Sequence, residues 1–368
     1  MSMGVSVAPQ VGHRSSDIPQ ACHDLPVGSW YSPALRGGAG VRFRVARPFL
    51  EESSVVNATY TLRSKLGEGG MGIVFVAEAP DGQRVALKAI AHGKAAEEGE
   101  RRARFEREIT VCRSLSHENL MPILDHGVDE STGTPYLVMP LLEGEDLEAV
   151  LTRVGSLEPG VAVRIALQAC RGLQLLHQGG IVHRDVKPSN LFLERRGGEV
   201  VVRVSDFGLA KLGGVAGTLT ASGMAMGSPA YMAPEQSTSA KHADARADVW
   251  AIAMVLYHAL AGRPAFVRAG SFFHYVVDSA RDVPHIQDHA PWVSGLVARA
   301  VHAALLRSPD ARWPDIAELE LGLAQAVGVD LVESPLRVEE LRGVSDATKS
   351  RQEPRAALPT TWHELLRG

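Results

Sequence analysis

HRDVKPSN, residues 183–190, packs three basic side chains, one carboxylate and one amide into a segment broken by Pro188. Two readings compete for it: a charged surface turn, or a site. Composition narrows the classes first. The chain has 368 residues, 45% of them hydrophobic and 22% charged, enough apolar material for one or two packed cores. A formal net charge of -4 and a pI near 6.4 leave no electrostatic footprint for nucleic acid.

Cys22, Cys112 and Cys170 are too few and too far apart for a disulfide framework or a CxxC knuckle. A reducing, cytoplasmic setting is the expectation. The opening MSMGVSVAPQVGHRSS has no charged start followed by an apolar core, and no run of about 18 apolar residues occurs. The longest candidate, VWAIAMVLYHALA at 249–261, suits a buried helix, so no membrane span is expected. Fourteen histidines occur without HExxH or paired Cys/His spacing, which gives no His/Cys metal centre.

The texture changes along the chain. Residues 1–57 are rich in Pro, Gly, Ser and Ala and read as a leader, with one short extended piece at VRFRVARPF. From Tyr60, strand-like runs (YTLRSKL, GIVFVAEA, RVALKAI) alternate with Gly and Asp turns, followed by a helical RARFEREITVCRSL and a strand PYLVMP. After LLEGEDL the pattern turns helical: Pro159 to His177, Ala247 to Ala261, Trp292 to Leu306 and Pro314 to Ala326. Two lobes follow from this. The last 40 or so residues are polar and interrupted by prolines; they read as a frayed tail, with Trp362, Leu365 and Leu366 on one small helical face.

Three further stretches carry chemistry. In LGEGGMGIVFVA, Gly67, Gly69 and Gly72 let the backbone turn tightly and bring N–H groups over phosphate oxygens, although a ligand-free hairpin fits as well. A strand follows the glycines where a dinucleotide fold would need a helix, which favours a phosphate-covering flap. In RVALKAI, alternation puts Lys88 beside Ala86 and Ile90, where an ammonium needs a partner; Glu108, on the edge of a helix face marked by Phe105, Ile109 and Cys112, is the expected one. VVRVSDFGLA ends a strand on Asp206 before Gly208, a turn on its own terms and equally a way to hold a hard cation.

Taken in order, GEGGMGIV, VALK, Glu108, HRDVKPSN, DFG and the APE at 233–235 resemble the signature set of the eukaryotic-like, Hanks-type protein kinases, and LGEGGMG with GSPAYMAPEQ resembles the bacterial serine/threonine kinases. The resemblance runs from Tyr60 to about Ala326 and includes Asp248, GRPAF at 262–266 and Arg312. It implies a two-lobed α+β fold: a small N-lobe (58–139) with an antiparallel sheet and one helix, a hinge (140–146), and a larger, mainly helical C-lobe (147–326), followed by the tail at 327–368. It also implies ATP and Mg2+ as cofactors and protein Ser/Thr hydroxyls as acceptors.

The same resemblance assigns roles by position. Asp185 takes or orients the acceptor's proton, Lys187 neutralises the transferring group, Asn190 and Asp206 share magnesium, and Lys88, locked by Glu108, holds the α- and β-phosphates. His183 is a packed support under Phe207. Leu66, Gly67, Glu68, Gly69, Gly70, Gly72, Val74, Ala86, Met139, Pro140, Leu142, Asp146 and Phe192 surround the nucleotide. Pro140 stands where Glu is frequent; it keeps its carbonyl and lacks an N–H, so Leu142 supplies the hinge donor. Ser228 replaces the commoner threonine. Between DFG and APE, Thr218, Thr220 and Ser222 are spaced as activation-loop sites, with Thr220 and Ser222 as the regulatory pair facing Arg184, and self-association for trans-autophosphorylation follows. Ala253 and His258 depart from the usual Gly and Glu, and ERRGGE reads as an extended hairpin tip. Glu235 and Arg312 are expected to form a buried ion pair.

Overall fold

β-branched and aromatic residues alternating from Tyr60 to Ile90 fold as strands because each face finds cover. The computed structural model describes residues 50–69, 72–90, 109–207, 229–238, 243–266 and 272–365. Six strands, β1 (Val55–Val56), β2 (Tyr60–Gly69), β3 (Gly72–Glu78), β4 (Arg84–Ile90), β5 (Asp125–Val128) and β6 (Pro135–Pro140), form an antiparallel sheet in the order β1-β2-β3-β4-β6-β5. The β3–β4 turn is set by Asp81, whose carboxylate accepts from the Gln83 amide at 2.9 Å, and by Gly82 at φ 81°.

The sheet's two faces bury different clusters. Val85, Leu87 and Ala89 of β4 pack with Tyr60, Leu62, Phe75, Tyr136 and Val138. Ile90 packs on the other side with Leu137 and with Ile109 of helix α1, described over 109–114. By alternation Lys88 shares that second face, so α1 covers the side of the sheet that carries the lysine.

A second sheet, β7 (Gly144–Asp146), β8 (Leu191–Arg196) and β9 (Glu199–Val204), opens the C-lobe. Gly197 and Gly198 close the β8–β9 hairpin at φ 58° and 89°, the positive values that a two-residue turn between right-twisted strands requires. ERRGGE thus forms the end of the β8–β9 ladder, where Arg196 pairs with Glu199. The helices follow: α2 (Leu147–Val154), α3 (Pro159–Gln178), α4 (Pro234–Thr238), α5 (Arg246–Ala261), α6 (Phe272–Asp278), α7 (Gly295–Ala304) and α8 (Ile316–Val327). Pro159 starts α3 where its missing N–H costs nothing, and α5 is apolar all round because 13 of its 16 residues are buried.

Both outer boundaries differ from the expectation. Leu50 (4% exposed) and Val56 (0%) belong to the N-lobe core, and β1 pairs with β2, so residues 50–57 are part of the lobe. The stretch after 327 is not a frayed tail. It forms α9 (Val329–Glu333), a 3-10 turn at Val338–Glu340, α10 (Asp346–Lys349) and a last turn at Trp362–Leu365, and it buries Leu336, Leu341 and Val344 against the C-lobe. Such side chains contribute about 1.5–3 kcal/mol each when fully buried, which outweighs the polar, proline-broken character of the segment. The extended piece at 41–49, Leu366 and the segment 208–228 lie outside the described residues. Among the described residues no helix is long and apolar enough to cross a membrane.

Candidate active site

An aspartate inside an otherwise apolar helix must find donors. Asp248, in the first turn of α5 and 0% exposed, accepts from the backbone N–H of His183 (2.8 Å), the N–H of Arg184 (2.7 Å) and Nε2 of His177 (2.8 Å). These bonds hold the 183–190 loop from beneath. They also fix Arg184 at φ 67°, a left-handed conformation that an arginine adopts only when its surroundings over-determine it. Its carbonyl accepts from Gln236 of α4 at 3.0 Å, and its guanidinium donates to the Ala243 carbonyl at 2.9 Å.

On this platform the predicted residues converge. Lys187 Nζ lies 2.7 Å from Asp185 Oδ2. Asn190 Nδ2 donates to the Asp185 carbonyl at 2.7 Å and to its Oδ2 at 3.2 Å, which leaves Oδ1 as the amide's acceptor. The Asn190 carbonyl in turn accepts from the Ser205 N–H at 2.9 Å, tying the loop to the end of β9. His183, 1% exposed, completes the staple: Nδ1 accepts from the Asp185 N–H (3.3 Å), so Nε2 carries the proton and donates to the Ser205 carbonyl (2.9 Å). Both ring nitrogens are committed to backbone, in keeping with a packed support. Phe207, the ring it was expected to underlie, is buried at 4%.

Asp206 follows at φ 61°, and its Oδ2 sits 2.6 Å from Lys88 Nζ. Both side chains are largely enclosed, at 8% exposed for the lysine and 18% for the aspartate. A buried ammonium needs such a counter-charge. The structure thus brings Lys88 to the carboxylate at the strand end; its expected partner Glu108 lies outside the described residues, although Ile109 beside it packs on the lysine's face of the sheet.

Above the site, β2 and β3 form the flap. Gly67 faces Val74 and Gly69 faces Gly72 across the ladder, while Gly70 lies outside the described residues. Gly72 has φ 140°, and a Cβ there would fall 1.9 Å from the Ala89 carbonyl oxygen, so no other residue fits. Leu66 is exposed, and Glu68 pairs with Lys65. Val74 sits opposite Lys88, Ala86 opposite Met139, and Val85 opposite Pro140. Met139, Leu142 and Phe192 pack on the C-lobe core. Asp146 spends Oδ1 capping α2 through the Ala149 N–H at 2.8 Å, leaving its second oxygen for other donors.

Two supports were reached differently. Arg312, 0% exposed, makes the anticipated pair with Glu235, Nη1–Oε1 at 2.7 Å and Nη2–Oε2 at 2.8 Å, and stacks on Trp250 at 4.8 Å. Tyr231 donates its hydroxyl to His258 Nδ1 at 2.7 Å; burial depresses that imidazole to about 4, keeping it a neutral acceptor. The organising roles of Asp248 and His177 were not assigned from sequence. The available signal was a carboxylate embedded in an apolar helix. Thr218, Thr220, Ser222 and Ser228 lie outside the described residues.

Comparison with known proteins agrees with this geometry. A protein kinase domain model matches residues 60–304. The serine/threonine-protein kinase Pkn1 of Myxococcus xanthus is 37% identical over 278 residues, 74% of this chain and 39% of Pkn1. The DNA damage-responsive serine/threonine-protein kinase RqkA of Deinococcus radiodurans is 37% identical over 269 residues, 72% of this chain and 39% of RqkA. The chain spans about two fifths of the length of these relatives. The crystal structure of the PknI kinase domain of Mycobacterium tuberculosis superposes with a TM-score of 0.57 at 27% identity, covering 75% of this chain and 99% of that one.

Proposed function

The chain belongs to the protein kinase family, with bacterial serine/threonine kinases as relatives, and from that premise we propose that it transfers the γ-phosphate of ATP to Ser/Thr hydroxyls of proteins. The observation that carries the reading is the convergence of residues from three separate stretches of sequence into two hydrogen-bonded groups, Lys88 with Asp206 and Asp185 with Lys187 and Asn190, joined where the N–H of Ser205, the chain neighbour of Asp206, bonds the Asn190 carbonyl.

The donor set fits a hard cation beside phosphate. With its amide nitrogen committed to Asp185, Asn190 presents a carbonyl oxygen, and Asp206 offers a carboxylate on an adjoining strand end. When bound, magnesium neutralises charge on the nucleotide's phosphate oxygens. The chain's own residues do the rest. Asp185 accepts and orients the hydroxyl of the substrate. Lys187, already beside that carboxylate, offsets the charge that develops on the transferring group. Lys88, paired with Asp206 in the structure and expected from the sequence to pair with Glu108, would carry the charge for the α- and β-phosphates, and the glycine flap from Leu66 to Gly72 would cover them. Val74, Ala86 and Phe192 would flank the adenine, with Met139, Pro140 and Leu142 as the hinge and Asp146 at the ribose.

Phosphate on Thr220 or Ser222, placed by a second copy in trans, would pair with Arg184 and order the segment before APE. Cys112 and Cys170 are both buried, and a reducing, cytoplasmic setting is part of this reading. The test is transfer from Mg-ATP to a protein substrate, with phosphoserine and phosphothreonine identified by peptide mass and Asp185→Asn as the control. Wild-type transfer that the variant lacks is the expected result; equal incorporation in both, or ATP binding without transfer to any protein, overturns the assignment.

A further inference from the structure

From residue 329 the chain runs beyond the stretch matched to the family and returns across the C-lobe, held at three places. The first is a clamp. Arg164 of α3, 5% exposed, donates to the Pro335 carbonyl at 2.9 Å and pairs with Glu340, while Leu336 and Val338 bond the hairpin tip (Val200 N–H to Leu336 O at 2.7 Å, Val338 N–H to Gly198 O at 3.1 Å). The third is a distal dock, where the Ala356 N–H and Pro354 carbonyl bond the Gln287 amide and Trp362 packs on Trp313 at 5.7 Å.

Between them lies a latch of a different kind. Val344 N–H bonds the Ser156 carbonyl at 3.1 Å, and both oxygens of Glu158 are occupied by the segment: Oε1 by the Ser345 N–H at 2.8 Å, Oε2 by the Thr348 hydroxyl at 2.8 Å. Thr348 donates its hydroxyl directly to the kinase lobe, and the neighbouring Ser345 hydroxyl lies against the same carboxylate and donates to Thr348 Oγ1 at 3.0 Å. Ser345 Oγ caps α10 within the segment, and Thr360 bonds Glu364 within it. The flanking residues Lys349, Ser350 and Arg351 are exposed, whereas Thr348 is 7% exposed.

We propose that Thr348 is a phosphorylation site and that phosphate there holds residues 343–349 off the C-lobe. This rests on the kinase reading above for the source of the phosphoryl group. The bond from the γ-phosphorus of ATP to its bridging oxygen breaks, a bond to Thr348 Oγ1 forms, ADP leaves, and the hydroxyl proton passes to the catalytic carboxylate and on to water. The latched geometry has no room for the product. A phosphate adds about 1.5–2 negative charges and removes the donor at the point where Glu158 is closest. Reaction takes place from the opened segment, which local unfolding supplies, and the like-charge contact then prevents reclosure. Lys349 and Arg351 travel with the phosphate and serve as its counter-charges.

The proposal has a test in two arms on the full chain. After incubation with Mg-ATP, peptide mapping over 343–355 is expected to show phosphate on Thr348, and on it sooner in Glu158→Ala, which loosens the latch. Phosphate elsewhere in the chain but never on Thr348, or on Ser345 or Ser350 alone, overturns it. No phosphate on the chain or any substrate sinks the kinase reading and leaves the second arm to decide. That arm follows hydrogen exchange of the 343–349 amides, expected to quicken by about tenfold or more in Thr348→Glu relative to Thr348→Val, with α3 unchanged. Adding Glu158→Gln to Thr348→Glu should restore most of the protection, since a neutral amide no longer repels the new carboxylate. Equal exchange in the Glu and Val variants, or no rescue by Glu158→Gln, refutes the latch.

Discussion

Asp248 and Glu158 each gather donors from a distant part of the chain, yet water reaches them to very different degrees. Asp248 is sealed inside α5 and takes three donors that fix a left-handed arginine beside the Asp185 carboxylate. Glu158 stands half-buried at the start of α3 and takes two donors from the C-terminal segment. The same chemistry gives a permanent staple in one place and a reversible fastening in the other, because the cost of an unpaired partner scales with how completely water is excluded.

The largest effect should come from breaking the sealed site. Asp248→Ala strands two backbone amides and His177 in the interior, and a loss of about 3–5 kcal/mol is expected in chemical denaturation. Activity should vanish with it, since Arg184 loses the bonds that hold φ positive. A loss no larger than that of Glu158→Ala would erase the contrast. Arg312→Ala is the next largest. It leaves Glu235 without its bidentate partner and opens the stack on Trp250, for about 3 kcal/mol by the same measurement.

Acid offers a third way to separate the two regions. His302 accepts from the Ile286 N–H at 3.0 Å and is pushed down to about 3 by burial, with His285 beside it adding to the shift. An unfolded histidine titrates near about 6.5, so the unfolded chain binds more protons below that value. The stability due to the neutral ring is therefore complete above about pH 6.5 and drains as pH falls toward 3, at up to about 1.4 kcal/mol per unit. Glu158 behaves otherwise. Desolvation pushes its carboxyl up, but the Ser345 and Thr348 donors outweigh that and hold it below the usual carboxylate range, so the latch weakens only below about pH 4.5. At pH 5 global stability should be reduced while exchange at 343–349 still reports a closed latch; His302→Gln should flatten the pH slope.

These differences also mark what could be read from sequence. HRDVKPSN, RVALKAI and VVRVSDFG announce themselves because charge, amide and glycine sit at fixed short spacings, and the same holds for the Gly197–Gly198 turn. The ion pair of Glu235 with Arg312, 77 residues apart, was accessible only through the family resemblance. The C-terminal segment was illegible for a physical reason. Its anchors Leu336, Leu341 and Val344 follow neither a helical nor a strand period, since the chain there alternates short helical turns with isolated bridges. Its partners Arg164 and Glu158 lie 176 and 187 residues away from Glu340 and Ser345. Lys88 shows the intermediate case: its need for a counter-charge was legible from the strand pattern, while the carboxylate that meets it, Asp206, lies 118 residues on and was assigned to the metal alone.

The smallest expected effect is the most discriminating. Glu158→Gln keeps the length of the side chain, its oxygen still accepts from the Ser345 N–H, and the Thr348 hydroxyl can turn to accept from the new NH2, so both contacts survive and only the charge assistance is lost. A neutral hydrogen bond contributes about 0.5–1.5 kcal/mol and one to a charged group about 1.5–3, so the change should be about 1 kcal/mol and confined to 343–349. Global unfolding should not register it, because the clamp at Arg164 and the dock at Trp313 hold the segment on either side of the latch. Hydrogen exchange should register it as roughly fivefold faster opening of those amides alone. If instead the whole segment from 335 to 362 loosened together, the three attachments would be one cooperative unit, and Glu158 would belong with Asp248 as part of the core.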